Sequence, residues 1–263
     1  MPAKARADQL VFEQGLAESR EQARRLIMAG KVSVLPDESR PAALPERVDK
    51  PGHPFRCGTR FILTGEERFV SRGAYKLLTA LDAFSLDVSG MVCLDAGAST
   101  GGFTDCLLQH GASRVYAVDV GRAQLHERLR ADARVVSLEG VNLRTAPPDL
   151  LPERVDLVVA DLSFISLTLV LPHCLPWLKP GGMAVCLIKP QFEVGPGQTV
   201  KGVVRDEALR RRAVEGVLEH MRGCGLESLG VVPASIKGPK GNQEFLAWWR
   251  KPASDSGETH AIR

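Results

Sequence analysis

Five short apolar runs, MVCLDAG, RVYAVDV, RVVSLEG, VDLVVADL and MAVCLIKP, succeed one another between residues 91 and 190. Each is rich in Val, Leu and Ile, and helical or loop-like segments separate them. Strands of this kind are buried on both faces, which argues for a parallel sheet covered by helices. SRGAYKLLTALDAF (71–84) predicts a helix before the first strand, and RDEALRRRAVEGVLEHMRGCG (205–225) predicts one after the fifth. LESLGVVPA and NQEFLAWWRK predict two final strands, the last of them antiparallel.

Upstream of residue 70 the pattern is different. RADQLVFEQGLA (6–17) reads as a short amphipathic helix. Ser19 is an N-cap for a second helix, with Gln22 completing a capping box and Gly30 as the C′ residue. Leu26 and Ile27 face its core. Arg20, Arg24 and Arg25 crowd its polar side, and Lys31 follows. KVSV begins a strand, residues 35–54 read as an irregular Pro-rich loop, and FILTG closes the module. The expected division is a small α+β domain over 1–68, a larger α/β domain over 69–252 and a disordered tail over 253–263.

Charge follows this division. Residues 1–80 hold 14 Lys/Arg against 10 Asp/Glu, whereas the remainder holds 20 against 21. The basic surplus therefore sits where an anionic partner would be met. The six cysteines are dispersed, without a Cys-x-x-Cys pair or a His cluster, and are expected to be small buried hydrophobes in a reducing cytoplasm, with no metal site. The longest apolar stretch, 157–178, contains Asp161, Pro172, His173 and Pro176, so it reads as no membrane span.

The segment LDAGASTGGF (94–103) ends the first strand and opens a helix. Gly97, Gly101 and Gly102 permit a tight turn and close approach of a ligand. Helix N–H groups around Thr100 and Phe103 point at that ligand. A dinucleotide site wants a second glycine where Ser99 stands, so NAD and FAD are disfavoured. Asp95, just before the turn, suits a cationic ligand such as S-adenosylmethionine. Asp119, about 20 residues on and followed by Val120, can accept both hydroxyls of an adenosine ribose. Asn142, after the third strand, is a candidate for the adenine rim.

Ligands of open α/β sheets sit over the carboxyl ends of the strands. Asp161 and Lys189 are at two such ends. Glu244 begins the antiparallel strand and so returns to the same rim, while Lys76 lies in the preceding helix. Singly, each could be a surface ion pair. Together, two lysines and two acids in one cleft suggest a network with Asp161 shared between cofactor and acceptor. The loop SIKGPKGNQ (235–243) adds Lys237 and Lys240 as RNA-phosphate contacts, or simply as a solvated loop.

Residues 6–34 resemble the alpha-L RNA-binding domain first seen in small-subunit ribosomal protein four, departing from it in the longer Pro-rich run that follows. The resemblance implies RNA contacts from Arg6, Arg20, Arg24, Arg25 and Lys31. The larger domain resembles FtsJ-type ribose methyltransferases, which have a Rossmann-like sheet and a Lys-Asp-Lys-Glu tetrad. Lys76 matches through SRGAYKL, Asp161 through ADLSFIS, Lys189 through IKPQFE and Glu244 through NQEF. The whole chain resembles the TlyA family of haemolysins and ribosomal RNA 2′-O-methyltransferases. That implies S-adenosylmethionine-dependent methylation of a cytidine ribose in ribosomal RNA of one or both subunits. Lys189 would orient or deprotonate the 2′-hydroxyl, Asp161 would hold Lys189, and Lys76 and Glu244 would fix the ribose and the amine.

Two other classes compete. A membrane-active haemolysin would want a span, a signal peptide or a basic amphipathic helix with an aromatic face, and the sequence offers none. A non-catalytic RNA-binding assembly factor would tolerate decay, yet Asp95, Gly97, Gly101, Asp119 and the tetrad are intact. The expectation is a cytoplasmic enzyme acting on ribosomal RNA or ribosomal subunits, taken as a monomer, with no membrane partner.

Overall fold

The computed structural model describes residues 3–36, 45–64 and 68–253. The expected disordered tail from 254 on, the centre of the Pro-rich loop (37–44) and Gly65 of FILTG lie outside the described residues. The chain divides into two compact units, Met1–Arg68 and Phe69–Arg263.

In the first unit, β1 (Lys4–Arg6) leads into α1 (Ala7–Glu13) and α2 (Arg20–Met28), followed by β2 (Val32–Val34), β3 (Glu46–Arg47), β4 (Pro54–Arg56) and β5 (Phe61–Leu63). α1 ends four residues earlier than its sequence pattern predicts, because Gly15 adopts φ +70° and turns the chain. α2 is capped as expected: the Ser19 side chain accepts from the Gln22 amide. The Gln22 side chain reaches back to the Glu18 amide, one residue before the cap. Gly30 at φ +73° closes the helix, with the Lys31 amide donating to the Leu26 carbonyl and the Gly30 amide to that of Ile27. Ala7, Leu10, Val11, Ala23, Ile27, Val32, Val48 and Phe61 form the core.

The described part of the Pro-rich segment departs from an irregular loop. β3 pairs antiparallel with β2, and β4 pairs with β1, Lys4 facing Arg56. The β1–β4 pairing joins residues about fifty positions apart, which no local turn signal reveals.

In the second unit, α3 (Ala74–Phe84) precedes β6 (Val92–Ala96), α4 (Gly102–Gln109), β7 (Arg114–Asp119), α5 (Glu127–Arg130), β8 (Val135–Glu139) and β9 (Val155–Ala160). Then come α6 (Leu171–Cys174), β10 (Leu178–Ile188), α7 (Pro190–Glu193), α8 (Glu207–Gly223), β11 (Glu227–Pro233) and β12 (Phe245–Arg250). The strands form one seven-stranded sheet in the order β11-β12-β10-β9-β6-β7-β8. β6 to β10 are parallel, and β12 runs antiparallel to both its neighbours. Successive strand residues serve opposite faces. Cys93, Val115, Leu157 and Val185 join Leu77, Phe103 and Leu107 in one core, while Leu94, Tyr116, Val158 and Ala184 join Val217 and Met221 in the other. Period-two burial on both faces is what near-continuous apolar strands require.

Strand order reverses at the β6/β9 pair, which opens a crevice between the chain segments leaving those strands. Gly97 leaves one and Asp161 the other. Four cysteines are buried as expected, Cys224 is partly buried, and Cys57 is exposed.

Candidate active site

The crevice has two adjoining lobes, of about 450 and 470 Å³, that share Gly97, Ser99, Asp161 and Ser163. The first is lined by Lys76, Asp95, Lys189 and Lys237, and the second by Asp119, Val120, Asn142 and Phe164.

The sheet brings the four predicted acceptor-side residues together. Lys76 sits in the first turn of α3, and Asp161 and Lys189 follow directly on β9 and β10. Ile188 pairs with Phe245, so the antiparallel β12 sets Glu244 beside Lys189 at the same rim. Lys76 Nζ lies 2.7 Å from Glu244 Oε2 and 3.7 Å from Asp161 Oδ2. Lys189 Nζ meets Asp161 Oδ1 at 2.6 Å, as an ion pair off the line of a hydrogen bond. Asp161 thus joins both lysines, and Lys76 joins both acids. Lys76, Lys189 and Glu244 are buried, Glu244 completely. Paired charges are what make such burial tolerable.

Three further residues complete the network. Lys189 Nζ donates to Ser163 Oγ at 2.9 Å, and Gln191 Nε2 donates to Glu244 Oε1 at 3.0 Å. Gly238 packs so closely on the Glu244 carboxylate that a Cβ there would stand 2.1 Å from Oε1. Ser163 and Gln191 lie inside ADLSFIS and IKPQFE, so the motifs flagged the segments without revealing which other side chains point inward.

The Gly-rich turn corrects part of the sequence reading. Gly97 has φ +81° and Ser99 φ +49°, so the chain does turn tightly. At Gly101, however, a Cβ would collide with Leu129 at 2.2 Å and Leu125 at 2.8 Å, and at Gly102 it would meet the Ala74 amide at 3.0 Å. Gly101 lines neither lobe and serves packing of the chain on itself, whereas Gly102 both packs on Ala74 and lines the first lobe. Thr100 and Phe103 line that lobe too; Phe103 also joins the core, and the Thr100 carbonyl accepts from the His126 amide.

Asp95 is fully buried and aimed partly at α4: its Oδ2 accepts from the Thr104 amide at 2.9 Å and from the Thr104 hydroxyl at 2.7 Å. Its Oδ1 is buried with no hydrogen-bond partner among the described residues. Burial pushes the carboxyl up to about 7, against the pull of the Thr104 hydrogen bonds. An acceptor left over in a ligand cleft asks for a cationic donor.

Asp119 spans the second lobe. Its Oδ2 accepts from the Ser99 amide at 2.8 Å and its Oδ1 from the Gly121 amide at 2.7 Å, leaving one lone pair on each oxygen for a ligand. Asn142 lines the same lobe, and its Oδ1 accepts from the Arg144 amide. Val120 is 72% exposed there and Phe164 92%.

The expected RNA-contacting cations divide. Arg24, Arg25 and Lys31 are exposed. Arg6 and Arg20 are engaged by the buried Asp8, at 2.9 and 3.5 Å. The Arg6 hydrogen bond holds the Asp8 carboxyl below the usual range. Lys237 lines the first lobe, whereas Lys240 lies at φ +58° beside Gly202.

Residues 69–251 match the family described as FtsJ-like methyltransferase, and residues 5–34 match the S4 domain. A relative from Mycobacterium tuberculosis, the 16S/23S rRNA (cytidine-2′-O)-methyltransferase TlyA, is 46% identical over 251 residues, covering 95% of this chain and 91% of the relative. Hemolysin A of Brachyspira hyodysenteriae is 38% identical, covering 92% of this chain and 98% of its own length. A solved structure described as a hemolysin of Streptococcus thermophilus superimposes with a TM-score of 0.72 at 45% identity, over 97% of this chain and 90% of that one.

Proposed function

The chain belongs to the FtsJ-like methyltransferase family and carries an S4 domain, and from that premise we propose that it transfers a methyl group from S-adenosylmethionine to the 2′-hydroxyl of a cytidine in ribosomal RNA. The observation that carries the reading is the buried network of Lys76, Asp161, Lys189 and Glu244 at the seam of the two lobes.

When bound, S-adenosylmethionine supplies an electrophilic methyl group. The residues present fit it. Asp95 Oδ1 is an unpartnered buried acceptor for its ammonium, and the spare lone pairs of Asp119 suit its ribose, with Val120 and Asn142 beside the adenine. Lys189 then holds the acceptor oxygen. Lys189 Nζ donates to Ser163 and pairs with Asp161, which leaves one direction of the nitrogen, a lone pair in the neutral amine, for the 2′-hydroxyl. Lys189, entering as the neutral amine, takes the hydroxyl proton as the oxygen is methylated. The resulting ammonium is held by Asp161. Lys76, fixed between Glu244 and Asp161, keeps Asp161 from turning away. Holding hydroxyl and methyl in line supplies much of the remaining rate.

Arg24, Arg25 and Lys31 supply phosphate contacts from the S4 domain, and Lys237 supplies one at the cleft. A ribosomal RNA substrate places the reaction in the cytoplasm. Two of the similar proteins carry hemolysin names, and among the described residues no helix is long and apolar enough to cross a membrane.

The test uses labelled S-adenosylmethionine with purified ribosomal subunits and naked ribosomal RNA. Label is expected at a cytidine ribose. Lys189→Ala is expected to lower transfer by about 100-fold or more while RNA binding persists. Absence of transfer from the wild-type chain to every RNA offered would overturn the reading.

A further inference from the structure

Loop 161–167 joins β9 to the turn that precedes α6, and it carries Asp161 and Ser163 into the cleft. Its backbone is strained. Phe164 adopts φ +64°, in the left-handed region that an aromatic residue rarely occupies. Such a conformation persists only where the surroundings over-determine it.

Two anchors bracket Phe164. Upstream, Ser163 Oγ accepts from Lys189 Nζ at 2.9 Å. Downstream, Glu193 Oε1 accepts from the Leu167 amide at 2.8 Å, and Glu193 Oε2 accepts from the Ser166 hydroxyl at 2.5 Å. Both anchors belong to one short segment, Lys189–Glu193, in which α7 begins at the buried Pro190. The Phe164 and Phe192 rings also meet, with centroids 5.4 Å apart. Ser166 is itself committed locally, since its hydroxyl oxygen accepts from the Thr168 amide and so starts the following turn.

We infer that Glu193 is a positioning residue for methyl transfer: it locks loop 161–167 onto the segment that bears Lys189, and so fixes Asp161 and Ser163 against the Lys189 amine. Glu193 lies outside the four-residue network and reaches it only through this loop. The second lobe depends on the same lock, because Leu162, Phe164 and Ile165 line it. The carboxylate works as a two-point acceptor and hydroxyl partner, and a glutamine can reproduce that, taking the Leu167 amide on its oxygen and meeting Ser166 with its amide group. An alanine cannot. Burial lifts the Glu193 carboxyl above its ordinary range, against the pull of the Ser166 and Leu167 hydrogen bonds.

The test compares Glu193→Ala and Glu193→Gln with the wild-type chain. Hydrogen–deuterium exchange, with neither RNA nor cofactor present, is expected to show the Leu167 amide exchanging about tenfold faster in Glu193→Ala and near the wild-type rate in Glu193→Gln. In methyl transfer to ribosomal RNA, Glu193→Ala is expected to lower kcat by about 100-fold with the KM for RNA changed less than about twofold. Glu193→Gln is expected to recover to within about threefold of wild type. Equal losses in the two variants, or a Glu193→Ala chain with unchanged exchange and kcat, would overturn the assignment. If Glu193→Ala does not fold, Glu193→Asp draws the carboxylate back from both contacts by one methylene and leaves the Ser166 turn intact. Faster exchange at Leu167 in that variant then supports the lock, and unchanged exchange overturns it. The kinetic arm rests on the ribose-methylation reading, whereas the exchange arm needs no substrate and decides the lock even if wild-type transfer fails.

Discussion

Two acids in this molecule are each shared by two cations, and they differ in almost everything else. In the first unit, Asp8 holds Arg6 and Arg20, whose side chains are 51% and 53% exposed. In the second, Asp161 holds Lys76 and Lys189, at 9% and 6%. The cations around Asp8 keep water on most of their surface and can swing to a phosphate at little cost. Those around Asp161 cannot leave without stranding a buried charge. The same triad is therefore loose in the first unit and rigid in the second. Asp95 extends the series: it is fully buried, with no cation partner among the described residues.

The comparison can be broken at each acid. The largest effect is expected at Asp161. Asp161→Ala leaves Lys189 without its carboxylate, and should lower stability by about 3 kcal/mol in urea denaturation while removing methyl transfer. A loss no larger than that of an exposed pair would erase the contrast.

Asp95 comes next, through pH. Its carboxyl is raised from 3.8 to about 7, so its contribution to stability is full below the lower value and is lost as the pH climbs through the upper one. Melting temperatures of wild type and Asp95→Asn, measured from pH 4 to 8, should diverge in favour of the variant as the pH rises. Parallel curves would mean that Asp95 is ionised without penalty.

The smallest effect, of opposite sign, belongs to Asp8. Its carboxyl is depressed, chiefly by the Arg6 hydrogen bond, so it stabilises near neutral pH and ceases to do so as the pH falls through that depressed value. Asp8→Asn should melt slightly below wild type at pH 7, with a gap that shrinks in acid and in high salt. A gap that grows in acid would reverse the assignment.

These contrasts also explain what could be seen in the sequence. Strand-end positions were legible because parallel strands are apolar nearly throughout, so that Asp161 and Lys189 stand out as the first polar residues after each run. Glu244 was legible once the last strand was taken as antiparallel. Which side chain a neighbouring polar residue points at was not. Ser163, Gln191 and Glu193 lie in the same motifs, but their partners lie in segments distant in sequence, and sequence spacing carries no information on that. That Asp8 pairs with Arg6 and Arg20 was hidden in the sequence, because Asp8 is buried by tertiary packing of the first unit. Gly101 read as ligand clearance because the collisions it avoids, with Leu125 and Leu129, are tertiary. The β1–β4 ribbon was hidden for the same reason.

The antiparallel β12 has a consequence in time. It is the last strand of the sheet to be synthesised, and it inserts between β10 and β11, which are made before it. Until it does so, Lys76 lacks Glu244, the nearer of its two acids. The contacts of Asp161 with Lys76 and Lys189 need no residue of that strand, whereas the Lys76–Glu244 pair does. The network is therefore complete only once the closing strand is in place.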